Sequence, residues 1–315
     1  MKLAFMGTPE FALPTLSSLI NAKEHNLTLV ITQADKPKGR GMQTQSPPVK
    51  ELAIQHGLQV FQPITLKNNA EFIDLIKHGG FDAVIVVAYG KMIPGDILPL
   101  PTFGFINVHA SLLPEFRGSS PINRAIIAGR KETGVSIMQI DEGMDSGPVY
   151  LQSQVDIGDE ENAVDLSEKL SRIGAQKLLE VLSLLEQGKI ASVPQDHSRA
   201  TYAPMLTKED GRIDWQDDPV AICNKVRGMV PWPCAYTFLK GKMLKILGAT
   251  YEIGESAMHP GIIQKEKKGI KISCRGGFII PRTVQLEGKK AMDAQAFSLG
   301  LQADQIKVGD AKEEP

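Results

Sequence analysis

Six consecutive apolar residues, Ala83 to Ala88, constrain the fold more than any other stretch of this chain. A strand with one wet face alternates apolar and polar side chains. A strand that is apolar throughout is buried on both faces. Leu27–Thr32 and Phe103–Val108 are similar, and Lys2-Leu3-Ala4-Phe5-Met6 reads directly as a first strand, which leaves no room for a signal peptide. Helical spacing separates these runs. Leu13, Leu16 and Ile20 mark a helix from about Phe11 to Asn21, Val49–His56 a second, and Phe72, Leu75 and Ile76 one face of a third, with a short strand at Leu58–Phe61. Pro14 fits only in a first helical turn, where its missing N–H is not needed. Strands alternating with helices and covered on both faces predict an α/β domain on a Rossmann-like, mostly parallel sheet.

The longest helical stripe runs from Val164 to Leu185 through Leu166, Leu170, Ile173, Leu178, Val181 and Leu182. Residues 190–207 lack periodicity and read as a linker. Beyond Lys208 the runs shorten. Tyr236–Leu239 and Met243–Leu247 flank the hairpin signal Lys240-Gly241, followed by Ile262–Ile263, Ile270–Ser273 and Phe278–Ile280. Short strands separated by turns predict a small β-barrel. The expected division is therefore an α/β domain over 1–189, a linker over 190–207 and a barrel over 208–315.

The net charge of −1 hides an uneven distribution, since residues 240–290 hold 11 Lys and Arg against 4 Asp and Glu. Such an excess suits a polyanionic partner, although a solvated lysine-rich surface has the same composition. The three cysteines form no CxxC pair, which points to a reducing, cytoplasmic setting rather than a disulfide framework. The six histidines include no metal-ligand spacing, and no apolar run approaches membrane length. Neither a metal site nor a membrane anchor is expected.

Chemistry gathers at the end of one strand. Asn107 and His109 are two residues apart, so they project from the same face. Asp145 follows a second strand-like run, Val135–Ile140, but Asp141 and Glu142 compete with it and spacing does not choose among the three. An amide donor, an imidazole and a carboxylate together can stabilise an oxyanion and move a proton. Gly7-Thr8-Pro9-Glu10-Phe11 stands where a dinucleotide fingerprint would, but it is not GxGxxG, and this excludes a simple dehydrogenase reading. The segment 35–48 is too rich in Gly and Pro for regular structure, and it carries Lys36, Lys38 and Arg40. A long loop of this kind usually serves binding.

Taken together, Asn107-x-His109, Ser111-Leu112-Leu113-Pro114, Arg117-Gly118 and Asp145-Ser146-Gly147 resemble the folate-dependent formyltransferases. That signature is shared by relatives that formylate glycinamide ribonucleotide or sugar nucleotides, or that hydrolyse formyl-folate. Gly7–Phe11, Lys36–Gly41, Ser46–Lys50, Thr207–Trp215 and Val226–Pro233 resemble the branch that acts on an aminoacylated tRNA. The resemblance implies an OB-like C-terminal barrel that binds tRNA. It implies 10-formyltetrahydrofolate as donor and the α-amino group of methionyl-initiator tRNA as acceptor, with no metal and a monomeric chain. It also implies roles: Asn107, His109 and Asp145 catalytic; Ser111, Leu112, Leu113 and Pro114 along the folate; Tyr89, Gly90, Ile140 and Asp141 near its pterin end; Lys36, Lys38 and above all Arg40 against the tRNA.

Overall fold

The computed structural model describes residues 1–38, 43–255 and 258–309. Its contacts divide the chain into two compact units. The first holds residues 1–121, 132–156 and 167–204, and the second holds 122–131, 157–166 and 205–315. The division is therefore not a single cut in the sequence.

In chain order the strands of the first unit are β1 (Lys2–Gly7), β2 (Asn26–Ile31), β3 (Lys36–Lys38), β4 (Gln43–Gln45), β5 (Gln59–Phe61), β6 (Ala83–Val87), β7 (Phe105–His109), β8 (Glu132–Gln139) and β9 (Val149–Asp156). Seven of them form one sheet in the order β5-β2-β1-β6-β7-β8-β9. From β5 to β7 every pairing is parallel, while β8 and β9 are added antiparallel. The Rossmann-like, mostly parallel sheet is as expected. β9 goes beyond what the apolar runs indicate; its alternating, partly exposed residues are those of an edge strand with one wet face.

Burial follows strand periodicity. All five residues of β6 are buried, as are Leu3, Ala4, Phe5 and Met6 of β1. Ala4 and Met6 pack with Leu29, Val84, Val86 and Phe105 beneath α3 (Ala70–His78), whose Phe72 and Ile76 enter the same cluster. Asn69 caps α3 by accepting from the Phe72 N–H at 3.0 Å. Phe72 has no exposed surface, and truncating it to Ala would cost about 3–5 kcal/mol. On α1 (Leu13–Asn21), Pro14 lies in the first turn, as its ring demands. The helix α2 (Pro48–Gln55) likewise starts on a proline. The helix α4 (Pro121–Ile127) follows β7, and in α5 (Ala163–Glu186) Gly174 lets the helix lie close on β7, because a Cβ there would stand 2.6 Å from Val108 Cγ1.

Two expectations change. The segment 35–48 is not wholly irregular, since β3 and β4 pair as an antiparallel ribbon with Lys36 opposite Gln45 and Pro37 opposite Thr44. A two-stranded ribbon is all edge, and an edge tolerates the proline. Of residues 190–207, read as linker, 190–204 pair back onto the first unit. Val193 exchanges two backbone hydrogen bonds with Val149, and the Arg117 N–H donates to Thr201 O. Such pairing depends on distant partners and leaves no periodicity to read.

In the second unit, β10 (Ala235–Leu239), β11 (Lys242–Ile253), β12 (Ile262–Glu266), β13 (Gly269–Cys274), β14 (Gly277–Leu286) and β16 (Gln305–Lys307) form a curled antiparallel sheet in the order β10-β11-β14-β13-β12-β16. β15 (Met292–Asp293) pairs with β14, and a bridge from Leu239 to Val308 links the two ends of the sheet. This is the expected OB-like architecture. Lys240 and Gly241 both take positive φ, the conformation a two-residue hairpin needs. Ile222 and Val226 of α6 (Pro219–Gly228) and Phe297 of α7 (Ala294–Leu299) pack with Ile246, Ile272, Ile279 and Val284. Trp215 joins this core with its indole N–H donating to Thr237 Oγ1 at 3.2 Å.

Candidate active site

The strand order reverses at β1, so the carboxyl ends of β1 and β6 flank a topological switch point, where open α/β sheets bind ligands. Thr8, just past β1, donates from Oγ1 to the Tyr89 carbonyl at 3.4 Å, and Gln33 Nε2 donates to the same carbonyl at 2.7 Å. Gly90 takes φ +80°, and a Cβ there would lie 2.9 Å from Gln33 Nε2. Tyr89 is buried, which pushes its phenol up to about 12 and keeps it a neutral group. Ile140 packs against the cluster that includes Tyr89, and its N–H donates to Phe105 O at 2.7 Å.

One strand further out, β7 delivers Asn107 and His109 to one face, because strand residues alternate. Asn107 is half-buried, and its carboxamide makes no hydrogen bond among the described residues. His109, 6% exposed, has acceptors on both sides. Nε2 donates to Phe116 O at 3.1 Å, and Nδ1 faces Asp145 Oδ2 at 3.6 Å. Asp145 Oδ2 also accepts the Gly118 N–H at 2.7 Å.

Of the three acids that the sequence offered here, only Asp145 faces the imidazole. Asp141 is occupied within its own loop, accepting from Ser146 Oγ at 2.8 and 3.0 Å and from the Gly143 N–H at 3.1 Å. Glu142 lies against Gly95, where an added Cβ would stand 2.6 Å from its Oε1. Spacing could not separate these residues. A backbone turn does, with Asp145 at φ +49°.

Ser111, Leu112, Leu113 and Pro114 leave the end of β7 as a turn pinned from both flanks. Ser111 Oγ donates to Glu115 O at 2.6 Å, and Ser136 Oγ donates to Ser111 O at 2.7 Å. Gln152 Nε2 donates to Leu113 O and to Ser136 Oγ, both at 2.8 Å. Leu112 and Pro114 are half-buried, whereas Ser111 and Leu113 are buried.

The ribbon residues are rooted near the switch point. Lys36 Nζ donates to Gln33 Oε1 at 2.8 Å. Asp35 accepts from Lys50 at 2.7 Å and from Gln62 at 2.8 Å, and these bonds hold its carboxyl below the usual carboxylate range, Gln62 foremost. Lys38 contributes backbone to β3, and Arg40 lies outside the described residues. Among the described residues no His, Cys, Asp and Glu group could hold a metal ion, and no helix is long and apolar enough to cross a membrane. Cys223, Cys234 and Cys274 are free thiols.

Sequence comparison identifies the family. The formyl transferase family matches residues 1–182, and the formyl transferase C-terminal domain matches residues 205–302. The chain belongs to the formyl transferase family. Among its relatives, the methionyl-tRNA formyltransferase of Geotalea daltonii is 48% identical over 95% of both chains. That of Thermodesulfovibrio yellowstonii is 46% identical, again over 95% of both. Solved structures below 20% identity share the fold. An N-formyltransferase from Helicobacter canadensis, solved with folinic acid and dTDP-3-aminofucose, gives a TM-score of 0.66 at 17% identity, covering 89% of this chain and 98% of that one. HypX from Aquifex aeolicus, solved with tetrahydrofolic acid, gives 0.63 at 18% identity, covering 95% of this chain; the chain spans only 46% of HypX.

Two formyl transferase motifs prove architectural in this chain. Within Thr207–Trp215, Asp210 accepts from the Thr207 N–H at 2.8 Å and from Arg124 at 3.1 Å, and Gly211 has no room for a Cβ beside Cys234 O. Within Val226–Pro233, Arg227 donates to the Gly158 and Glu161 carbonyls, both at 2.9 Å. Sequence reasoning misses the contributions of Gly118 N–H, Phe116 O and Gln195. All three enter through backbone groups or from residues remote in sequence, which side-chain patterns do not reveal.

Proposed function

We propose that this chain transfers the formyl group of 10-formyltetrahydrofolate to the α-amino group of methionyl-initiator tRNA, giving the N-formylated aminoacyl-tRNA that starts translation. One observation carries the reading. An uncommitted carboxamide, Asn107, shares a strand face with His109, and Asp145 alone of three nearby acids stands beside that imidazole.

A neutral amine attacks the formyl carbon, and the formyl oxygen gains negative charge in the tetrahedral adduct. Asn107 N–H donates to that oxygen, and His109 supplies positive charge beside it. Asp145 orients His109, and its Oδ1, which has no hydrogen bond among the described residues, accepts the amine proton. The carbon–nitrogen bond to the folate then breaks, and the proton taken from the amine passes to that nitrogen. Formyl moves from one nitrogen to the other without oxidation or reduction. Ser111–Pro114 lie along the folate, with Tyr89, Gly90, Ile140 and Asp141 near its pterin.

The tRNA is held by charge. Lys36, Lys38 and Arg40 meet the acceptor end, with Arg40 the leading contact. The lysine-rich 240–290 segment follows the phosphate backbone, with affinity that falls as salt rises. The relatives named for methionyl-tRNA, at 46–48% identity, support this acceptor. Free thiols suit a reducing cytoplasm, and the chain acts as a monomer.

Incubation with 10-formyltetrahydrofolate and charged initiator tRNA tests the proposal. N-formylmethionine on the tRNA is expected. Transfer to an amino sugar nucleotide instead would reassign the acceptor, and salt-sensitive RNA binding without turnover would end the enzymatic reading.

A further inference from the structure

Asp145 can serve His109 only if its backbone, at φ +49°, is held in place. One hold is local: Asp141 ties itself to Ser146 and Gly143. The other comes from fifty residues away. Gln195 Nε2 donates to Asp145 O at 2.9 Å and to Gly147 O at 2.7 Å. Its Oε1 accepts from Arg117 Nε at 3.2 Å and Arg117 Nη2 at 2.7 Å. The amide is thus fixed in one orientation, because a flipped Gln195 would turn its oxygen toward two carbonyls and its N–H groups toward a guanidinium.

Arg117 is 4% exposed and has no carboxylate partner among the described residues. Besides Gln195, Arg117 Nη2 meets only His197 Nδ1 among the described residues, at 3.1 Å. A buried cation bound to neutral acceptors is costly and stays where its geometry serves something. Arg117 is anchored by its own backbone, since its N–H donates to Thr201 O at 2.9 Å and its carbonyl accepts the Ala203 N–H at 2.7 Å. The next residue, Gly118, donates its N–H to Asp145 Oδ2. The Arg117-Gly118 pair therefore grips Asp145 twice, at the carboxylate directly and at the backbone through Gln195.

We propose that Gln195, braced by Arg117, is the positioning residue of this site, fixing the reach of Asp145 to His109. It touches no substrate and acts only through Asp145. The inference rests on the formyl-transfer reading for its rate effect, but not for its geometry.

The test is Gln195→Glu beside Gln195→Ala. A carboxylate keeps the acceptor for Arg117 and so keeps the brace, but it has no N–H for the two carbonyls. Both variants should lose about 10–100-fold in kcat with little change in KM for either substrate, the size of effect that a small misplacement produces. Gln195→Glu should also remain folded by circular dichroism, since its pairing with Arg117 offsets the two hydrogen bonds it loses. In an Asp145→Asn background, Gln195→Ala should add little further loss, because the two act as one unit. A fully active Gln195→Glu, or losses that multiply in the double variant, would overturn the proposal. NMR of the His109 ring nitrogens needs no turnover. Signals that shift in Gln195→Glu would support the positioning role even if the reaction assigned above proved wrong, and unchanged signals would refute it.

Discussion

The two units use polar groups in opposite ways. In the first, a few polar side chains are buried or half-buried around the carboxyl end of β7: Asn107, His109, Asp145, Gln195 and Arg117, the last four linked in that order through side-chain or backbone contacts. In the second, the core is apolar apart from the satisfied Trp215–Thr237 pair and a few buried hydroxyls, while Lys267, Lys268, Lys289 and Lys290 stand exposed on its turns. On the function proposed above, the contrast has a physical cause. Stabilising a developing charge needs a donor within tenths of an ångström, so it belongs on a strand end braced by neighbours. Holding a polyanion needs only many cations near a surface, each contributing little and each screened by salt.

If that contrast is right, single substitutions should act steeply in the first unit and shallowly in the second. The steepest is Asp145→Asn. By analogy with other carboxylates that orient an imidazole, kcat should fall on the order of 10³–10⁴-fold with the fold retained, whereas Asp141→Asn should change kcat far less. Equal losses would erase the distinction drawn between the two acids. Asn107→Ala should cost about 10²–10³ in kcat, and steady-state assays showing a loss below tenfold would remove it as an oxyanion donor. In the core of the second unit, Ile246→Ala removes a fully buried side chain and should lower stability by about 2–5 kcal/mol, read by urea unfolding. Replacing Lys267 and Lys268 together should weaken tRNA binding several-fold and flatten its dependence on log salt by about one unit for each phosphate no longer neutralised, with kcat unchanged. A fall in kcat at saturating tRNA would bring the second unit into the chemistry and break the comparison.

The smallest effect concerns the root of the ribbon. Bonds from Gln62 and Lys50 stabilise the Asp35 anion, so its pKa is lower folded than unfolded. The stabilisation is then fully present above the unfolded value, near pH 4, and is lost as pH falls through the folded one. The unfolding midpoint of Asp35→Asn should lie slightly below wild type at neutral pH, and the gap should close as the pH falls through the range where the folded carboxyl takes up its proton. A gap that persisted there would assign the effect to packing rather than to charge.

Much of this is readable from the chain. The unbroken apolar run of β6 announces a sheet buried on both faces, the stripe through α5 announces its longest helix, and the Lys240-Gly241 turn announces the first hairpin of the curled sheet. The pairing of Asn107 with His109 on one face follows from strand periodicity alone. The ribbon of β3 and β4 is hidden because Gly and Pro mask short pairings, and β9 because an edge strand carries a weak, half-polar pattern.

What the sequence determined by itself is whatever period and residue type encode: the class of each unit, the strand that bears the amide and the imidazole, and the basic character of 240–290. What the tertiary structure alone decided is which acid completes the pair and what holds it there. Asp141, Glu142 and Asp145 are chemically equivalent on paper. A positive φ, one backbone N–H from Gly118 and an amide reaching across from Gln195 separate them, because orientation in a folded chain is set by contacts between segments whose separation in sequence carries no periodic trace.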